Sequence, residues 1–297
     1  MKLRSVIALL RSTIRSWQQD DASRLAAALA YYTTFSLAPV LVIVVAIAGA
    51  VFGQEAVQGE LVNQLAGLMG QQSADIIQAL LVNTQTSSTG GFWPTVISIV
   101  LLVFGATGVF SQLQTSLNLI WNAKPAKQGP MQFIRTRLLS FAMVAVIGFL
   151  LLVSLILSAG LAALGNIFAA AQIWAPLWQG INAILSFGVV TLLFGLIYKV
   201  LPDVKITWRD VSVGAVITAL LFTIGKVLIG LYLGNSSVGS AYGAAGSLAV
   251  VLIWVYYSAQ ILFFGAEFTQ VYANRYGSKI VASRAPSTDY DGIPGRR

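Results

Sequence analysis

Apolar residues in this chain come in blocks, not stripes. Blocks of about 20 residues recur, roughly Ala30–Phe52, Trp93–Leu113, Leu138–Leu164, Gly180–Leu201, Val211–Leu233 and Ser247–Glu267. Each is long enough to cross about 30 Å of hydrocarbon at about 1.5 Å per residue. The runs are continuous rather than alternating. They therefore predict membrane-spanning helices, which satisfy their backbone hydrogen bonds within one segment, and not barrel strands. The fold class expected is all-α: one bundle of six transmembrane helices.

Ahead of the first block, "MKLRSVIALLRSTIRSW" puts Val6, Leu10, Ile14 and Trp17 on one helical face, with Arg4, Arg11 and Arg15 elsewhere. Its apolar core is short, is cut by Arg11, and is followed by no small-residue cleavage site. The pattern predicts a helix over about residues 3–17 lying in the membrane interface.

Composition agrees, since 57 % of the chain is hydrophobic and 9 % charged, too few charges to solvate a soluble domain of 297 residues. Of the 18 lysines and arginines, all but Lys226 fall before the first block, between the second and third, around the fourth-to-fifth connection, or after the sixth. The positive-inside rule makes that side cytoplasmic, with both termini inside. Trp93, Trp174, Trp178 and Tyr242 then mark the outer interface, and Trp121, Trp208, Tyr272 and Tyr276 the inner one. The net charge of +8 is accounted for by topology, so it indicates attraction to anionic headgroups rather than to nucleic acid. With neither cysteine nor histidine, disulfides, thiolate chemistry and His-ligated metals are excluded, and no motif calls for a cofactor.

Between the first two blocks, on the external side, Leu61, Leu65 and Leu68, then Ile76, Ile77, Leu80 and Leu81, recur at helical spacing and predict a short helical hairpin. The last stretch, "SRAPSTDYDGIPGRR", is polar and rich in Pro and Gly. It reads as a disordered tail, so residues 279–297 are set apart from a transmembrane domain over 1–278.

Four further segments carry a resemblance: "AAALAYYTTFSLAPVLVIV" (26–44), "GVFSQLQTSLNLIW" (108–121), "LPDVKITWRDVSVGAVITALLF" (201–222) and "AYGAAGSLAVVLIWVYYSAQILFFGAEFT" (241–269). Together they resemble the YihY/BrkB family of bacterial membrane proteins, which implies six transmembrane helices in the inner membrane and a link to virulence. The family has also carried a ribonuclease label, which the residues do not support. Phosphodiester cleavage needs clustered carboxylates holding metals, or a histidine acid/base pair. Asp20 and Asp21 are placed to cap the first long helix, and Asp203 and Asp210 flank a short connection. No enzyme is read from this arrangement.

Polar residues within the spans face protein or a water-filled cavity. Thr107, Ser111, Gln114 and Asn118 share one face of the second span; Tyr256, Gln260 and Glu267 share one of the sixth. Taken singly, each serves equally as glue between helices. Glu267 has a simpler role open to it, as the partner of a juxtamembrane arginine. In the fifth span Ser212, Ala215, Ala219, Thr223, Lys226 and Gly230 form a narrow stripe of small or polar side chains, which turns Lys226 into the bundle. Gly230 and Gly234 suit close helix packing, and "NSSVGSAYGAAGS" a flexible or re-entrant segment. The candidate substrate-binding residues are Lys226, Thr223, Thr107, Ser111, Gln114, Tyr256, Gln260 and Glu267. They point to a transporter or flippase/scramblase for an amphipathic or anionic solute such as a lipid. The alternative is a non-transporting membrane scaffold of envelope or virulence machinery. Membrane lipids are the expected partners, and homo-oligomer formation stays open.

Reporter fusions test the topology. Fusions at Asp75 or Gln172 are expected to report an external location, and fusions at Lys127 or Ala285 a cytoplasmic one. A cytoplasmic signal from Asp75 would overturn the arrangement of six spans.

Overall fold

The structure, a computed structural model, describes residues 3–69, 108–123, 175–235, 246–278 and 281–282, with isolated positions at 78, 138 and 142. These residues are nearly all helical. In chain order they form α1 (Leu3–Gln19), α2 (Ala22–Phe52), α3 (Gln54–Met69), α4 (108–120), α5 (Ala175–Val200), α6 (Trp208–Asn235) and α7 (Gly246–Tyr276). A two-residue strand β1 (Val204–Lys205) pairs antiparallel with β2 (Val281–Ala282).

Three of the described helices are long and apolar enough to cross a membrane: Ala183–Val200 in α5, Trp208–Tyr232 in α6 and Leu248–Tyr276 in α7. They match the fourth, fifth and sixth expected spans. The first expected span lies within α2, which runs unbroken through Pro39. Most of the second and third spans, the second arm of the external hairpin, and the Gly/Ser-rich segment 236–245 lie outside the described residues. The leucines of the hairpin's expected first arm, Leu61, Leu65 and Leu68, lie in α3. Of the tail expected to be disordered, Val281 and Ala282 are held in register with Lys205 and Val204.

α7 is the hub, packing against α6, α2 and α1, while α5 packs on α6. The closest approach is between α6 and α7, and the sequence shows why. Each helix carries a glycine four residues before a threonine: Gly214 and Thr218 in "GAVIT", Gly265 and Thr269 in "GAEFT". The helices run antiparallel, so each threonine sits over the other helix's glycine. A Cβ at Gly214 would overlap the Thr269 side chain, and one at Gly265 would overlap Thr218. Each threonine hydroxyl donates to the carbonyl of its own helix's glycine, Thr218 Oγ1 to Gly214 O at 2.7 Å and Thr269 Oγ1 to Gly265 O at 2.6 Å. No hydroxyl in this contact is left unpaired. The close-packing glycines are thus 214 and 265; of the pair expected in that role, Gly230 is exposed with open space around it.

Two buried aromatics fasten the same region of α7. The Tyr198 hydroxyl donates to Leu262 O at 2.7 Å and lies 3.0 Å from Thr218 Oγ1. The Trp121 indole donates to Ala266 O at 3.1 Å, its ring meeting Tyr198 edge-on at 5.8 Å. Trp121 is therefore core, 3 % exposed, and not an interfacial marker. Inside a bilayer, helices gain little from hydrophobic burial against one another, so close backbone packing and such hydrogen bonds carry their association.

The α1–α2 junction turns on Asp21, whose left-handed backbone (φ 52) is one that Asp tolerates. Its carboxylate does not cap α2 as expected; it pairs with Arg24 Nε at 3.3 Å. α1 buries Leu9 and Thr13 and leaves Val6, Ile7, Leu10 and Ile14 exposed beside its arginines, as an interfacial helix requires.

A methyl group at the α6–α7 contact tests this packing. Gly265→Ala is expected to cost about 1–3 kcal/mol through overpacking against Thr218 and Tyr198, read as a lower midpoint in detergent unfolding. A neutral result would show that the two helices are not held this close.

Candidate functional site

Beside the α6–α7 contact lies a groove of about 340 Å³, in the range of roughly 300–1,000 Å³ typical of small-ligand sites. Its walls come from α6 (Leu221, Ile224, Gly225, Leu228), α7 (Tyr257, Gln260, Ile261, Phe264) and Trp17 of α1. Gly225 makes the floor, because a Cβ there would strike Ile261 and Tyr257, so bare backbone brings α6 against α7. Ile224 and Leu228 are exposed on α6, which leaves the groove open to the side.

The lining is apolar apart from a few atoms, and two polar atoms of its residues lie buried behind it. The indole nitrogen of Trp17 and the side-chain oxygen of Gln260 are both buried without a hydrogen-bond partner. A buried donor or acceptor left unpaired costs about 1–3 kcal/mol. A ligand bringing both an acceptor and a donor to this groove would recover that cost.

One turn along α7 from Phe264, Glu267 is fully buried. It does not meet an arginine, as its position had suggested. It meets the Asp20 carboxyl at the end of α1, and neither Glu267 carboxylate oxygen has a hydrogen-bond partner. Burial holds the Asp20 carboxyl above the ordinary carboxylate range, with the contact to Glu267 pulling it back.

The other carboxylates on this side are structural. Asp203 accepts from Asn118 Nδ2 at 3.1 Å and Gln114 Nε2 at 3.4 Å, while its own amide donates to Asn118 Oδ1 at 2.8 Å. Asp210 accepts from Thr207 Oγ1 at 2.9 Å and from the amide and hydroxyl of Ser278 at 3.0 and 2.7 Å. Among the described residues no group of three or more acidic side chains could hold a metal.

The expected site residues are thus dispersed. Gln260 lines the groove, and Glu267 lies one turn beyond it. Gln114 belongs to the Asp203 cluster. Ser111 and Tyr256 are exposed, and Thr107 lies outside the described residues. Lys226 and Thr223 are exposed as well, so Lys226 does not turn into the core. The stripe misled because only its alanines, Ala215 and Ala219, are buried, together with Val211, Gly214, Thr218 and Gly225, while Ser212, Thr223, Lys226 and Gly230 are exposed. Lys226 stands at least about 100° around α6 from each groove residue on that helix. Trp17 and Asp20 were missed; Trp17 was legible only as one residue of an interfacial face.

The sequence profile of the family described as virulence factor BrkB matches residues 13–288. The chain is similar to the UPF0761 membrane protein MS0032 of Mannheimia succiniciproducens, 26 % identical, with 86 % of each chain covered. It is also similar to the UPF0761 membrane protein of Pseudoalteromonas atlantica, 29 % identical over 88 % of this chain and 85 % of the relative. No solved structure matches the chain.

The Asp20 environment makes a pH-dependent prediction. A carboxyl raised by folding binds its proton more tightly in the folded state, so its stabilising effect is complete in acid and is lost as pH rises through the folded value. Asp20→Asn is therefore expected to raise the thermal midpoint near pH 8, with the gain shrinking towards about pH 5. A loss of stability at both ends would show that Asp20 acts instead as a favourable anion.

Proposed function

Because the chain belongs to the virulence factor BrkB family and carries helices of membrane-spanning length, we propose that it moves amphipathic lipids with anionic headgroups across the bacterial cytoplasmic membrane, as a flippase or scramblase. The observation that carries this reading is the groove between α6, α7 and Trp17. Its walls suit an acyl chain, and it opens sideways at exposed Ile224 and Leu228. The unpaired Trp17 nitrogen and Gln260 oxygen suit a part of the molecule that both accepts and donates hydrogen bonds. A lipid has both parts, joined where its chains meet its headgroup.

The preference for anionic headgroups comes from the charge pattern. Arg4, Arg11 and Arg15 are exposed on α1, and basic groups near a membrane surface attract anionic lipid by about 1 kcal/mol each. Lys226, exposed on the other flank of α6, snorkels towards headgroups, burying its stem along the helix. A passive scaffold gives no reason for unpaired polar atoms in a side-opening groove.

Reconstitution tests the proposal. In liposomes bearing a fluorescent phosphatidylglycerol, the protein is expected to speed the passage of inner-leaflet probe to an external quencher. Gln260→Leu removes a hydrogen bond worth about 0.5–1.5 kcal/mol, so it should slow that passage by roughly 2- to 10-fold. No acceleration by the wild type, or an unchanged rate in Gln260→Leu, would contradict this reading.

A further inference from the structure

Glu267 combines complete burial with two unpaired carboxylate oxygens, and its charged neighbour is another carboxyl, that of Asp20. The remaining described charges around it are committed or turned away. On α1, Arg4, Arg11 and Arg15 are exposed. On α2, Arg24 pairs with Asp21, and on α3 Glu55 is exposed. On α6, Arg209 and Lys226 are exposed and Asp210 is held by Thr207 and Ser278. At the end of α5 Lys199 donates to Ile206 O, and beyond it Lys205 is exposed and Asp203 is held by Asn118. On α7 itself, Arg275 lies over the Tyr276 ring at 5.6 Å.

Several neutral donors of the surrounding helices are engaged as well, although the Trp17 indole is free. The Trp121 indole donates to Ala266 O, the Tyr198 hydroxyl to Leu262 O, and the Thr269 and Thr13 hydroxyls to carbonyls of their own helices. Two carboxylates cannot face each other in such a place with both charges uncompensated. One proton between them resolves the conflict and needs no further ligand, as in carboxylate dyads that titrate as a unit.

We propose that the Asp20–Glu267 pair is a proton-binding site, and that the bound proton holds Trp17 across the groove. Trp17 lies one turn before Asp20 on α1; Phe264 and Gln260 lie one and two turns before Glu267 on α7. The same two helices therefore carry both the pair and the groove wall. With the proton in place, the two carboxyls draw the end of α1 onto α7. Its release through half-buried Asp20 to water leaves two carboxylates. Their repulsion parts α1 from α7 at the left-handed turn of Asp21 and lifts Trp17. The proton site stands on the complete burial of Glu267, its oxygens without a donor and the packing of α1 on α7; its effect on the groove rests on the lipid reading. It also supplies a buried carboxylate for proton coupling.

Infrared difference spectroscopy of the purified full-length protein, titrated from about pH 5 to about pH 9, reads the site without any lipid movement. The expected result is a protonated-carboxyl band that shifts in heavy water, fades as pH rises, and is missing from Glu267→Gln. Asp20→Asn should move its midpoint by at least about one pH unit. The difference in tryptophan fluorescence between wild type and Trp17→Phe should change with the same midpoint. A band that does not titrate, or that persists in Glu267→Gln, overturns the proton site. So does a band erased by added sodium or magnesium ions, which would assign the pair to a metal cation. A Trp17 signal that ignores the band overturns the link to the groove. A titrating band in a protein that moves no phosphatidylglycerol sinks the transport reading and leaves the proton site standing.

Discussion

Two glycines fix how closely α6 and α7 approach, and most of what surrounds them follows from that distance. With Gly214 under Thr269 and Gly265 under Thr218, the helices meet backbone to side chain with no room for a methyl group. The aromatic donors Tyr198 and Trp121 then reach α7 carbonyls that already serve in the helix, using the second acceptor position of each. Further along, Gly225 repeats the close approach against Ile261 and Tyr257 and becomes the floor of the groove. In a bilayer this economy matters, because lipid chains compete on equal terms with apolar side chains for contact with a helix.

The same hub explains why the carboxylates at this end of the bundle sort into two kinds. Asp203 and Asp210 are surrounded by donors that tie the α5–α6 connection to α4 and to Ser278. They hold segments together. Glu267 and Asp20 face each other with no basic partner among the described residues, so their conflict stays unresolved there. This unresolved polarity lies next to the apolar groove, where the lipid site is proposed.

Block length and charge bias made the membrane class and the positions of α5, α6 and α7 readable, because crossing hydrocarbon constrains composition directly. The amphipathic face of α1 was readable for the same reason. Facing within a span was not. Small residues recur on more than one row of α6, and periodicity alone does not say which row meets a partner; only Thr218, Thr269 and Tyr198 decide it. That ambiguity placed Lys226 inside when it is exposed. Asp20 and Glu267 lie almost 250 positions apart, and their meeting depends on α1 folding back onto α7, which nothing local announces. Asp21 reads as a helix cap, yet its left-handed backbone and its pairing with Arg24 assign it to a turn.

That the groove receives a lipid is the claim on which the functional account depends. Photoactivation of a phosphatidylglycerol bearing a reactive group on its acyl chain, in liposomes holding the unmodified protein, would map the contact directly. The account predicts adducts concentrated on Tyr257, Ile261, Phe264 and Leu228, well above those on Leu220 and Val227, which are exposed on α6 away from the groove. Equal labelling of Leu220, Val227 and the groove residues would contradict it, showing α6 and α7 to be coated by bulk lipid without a site.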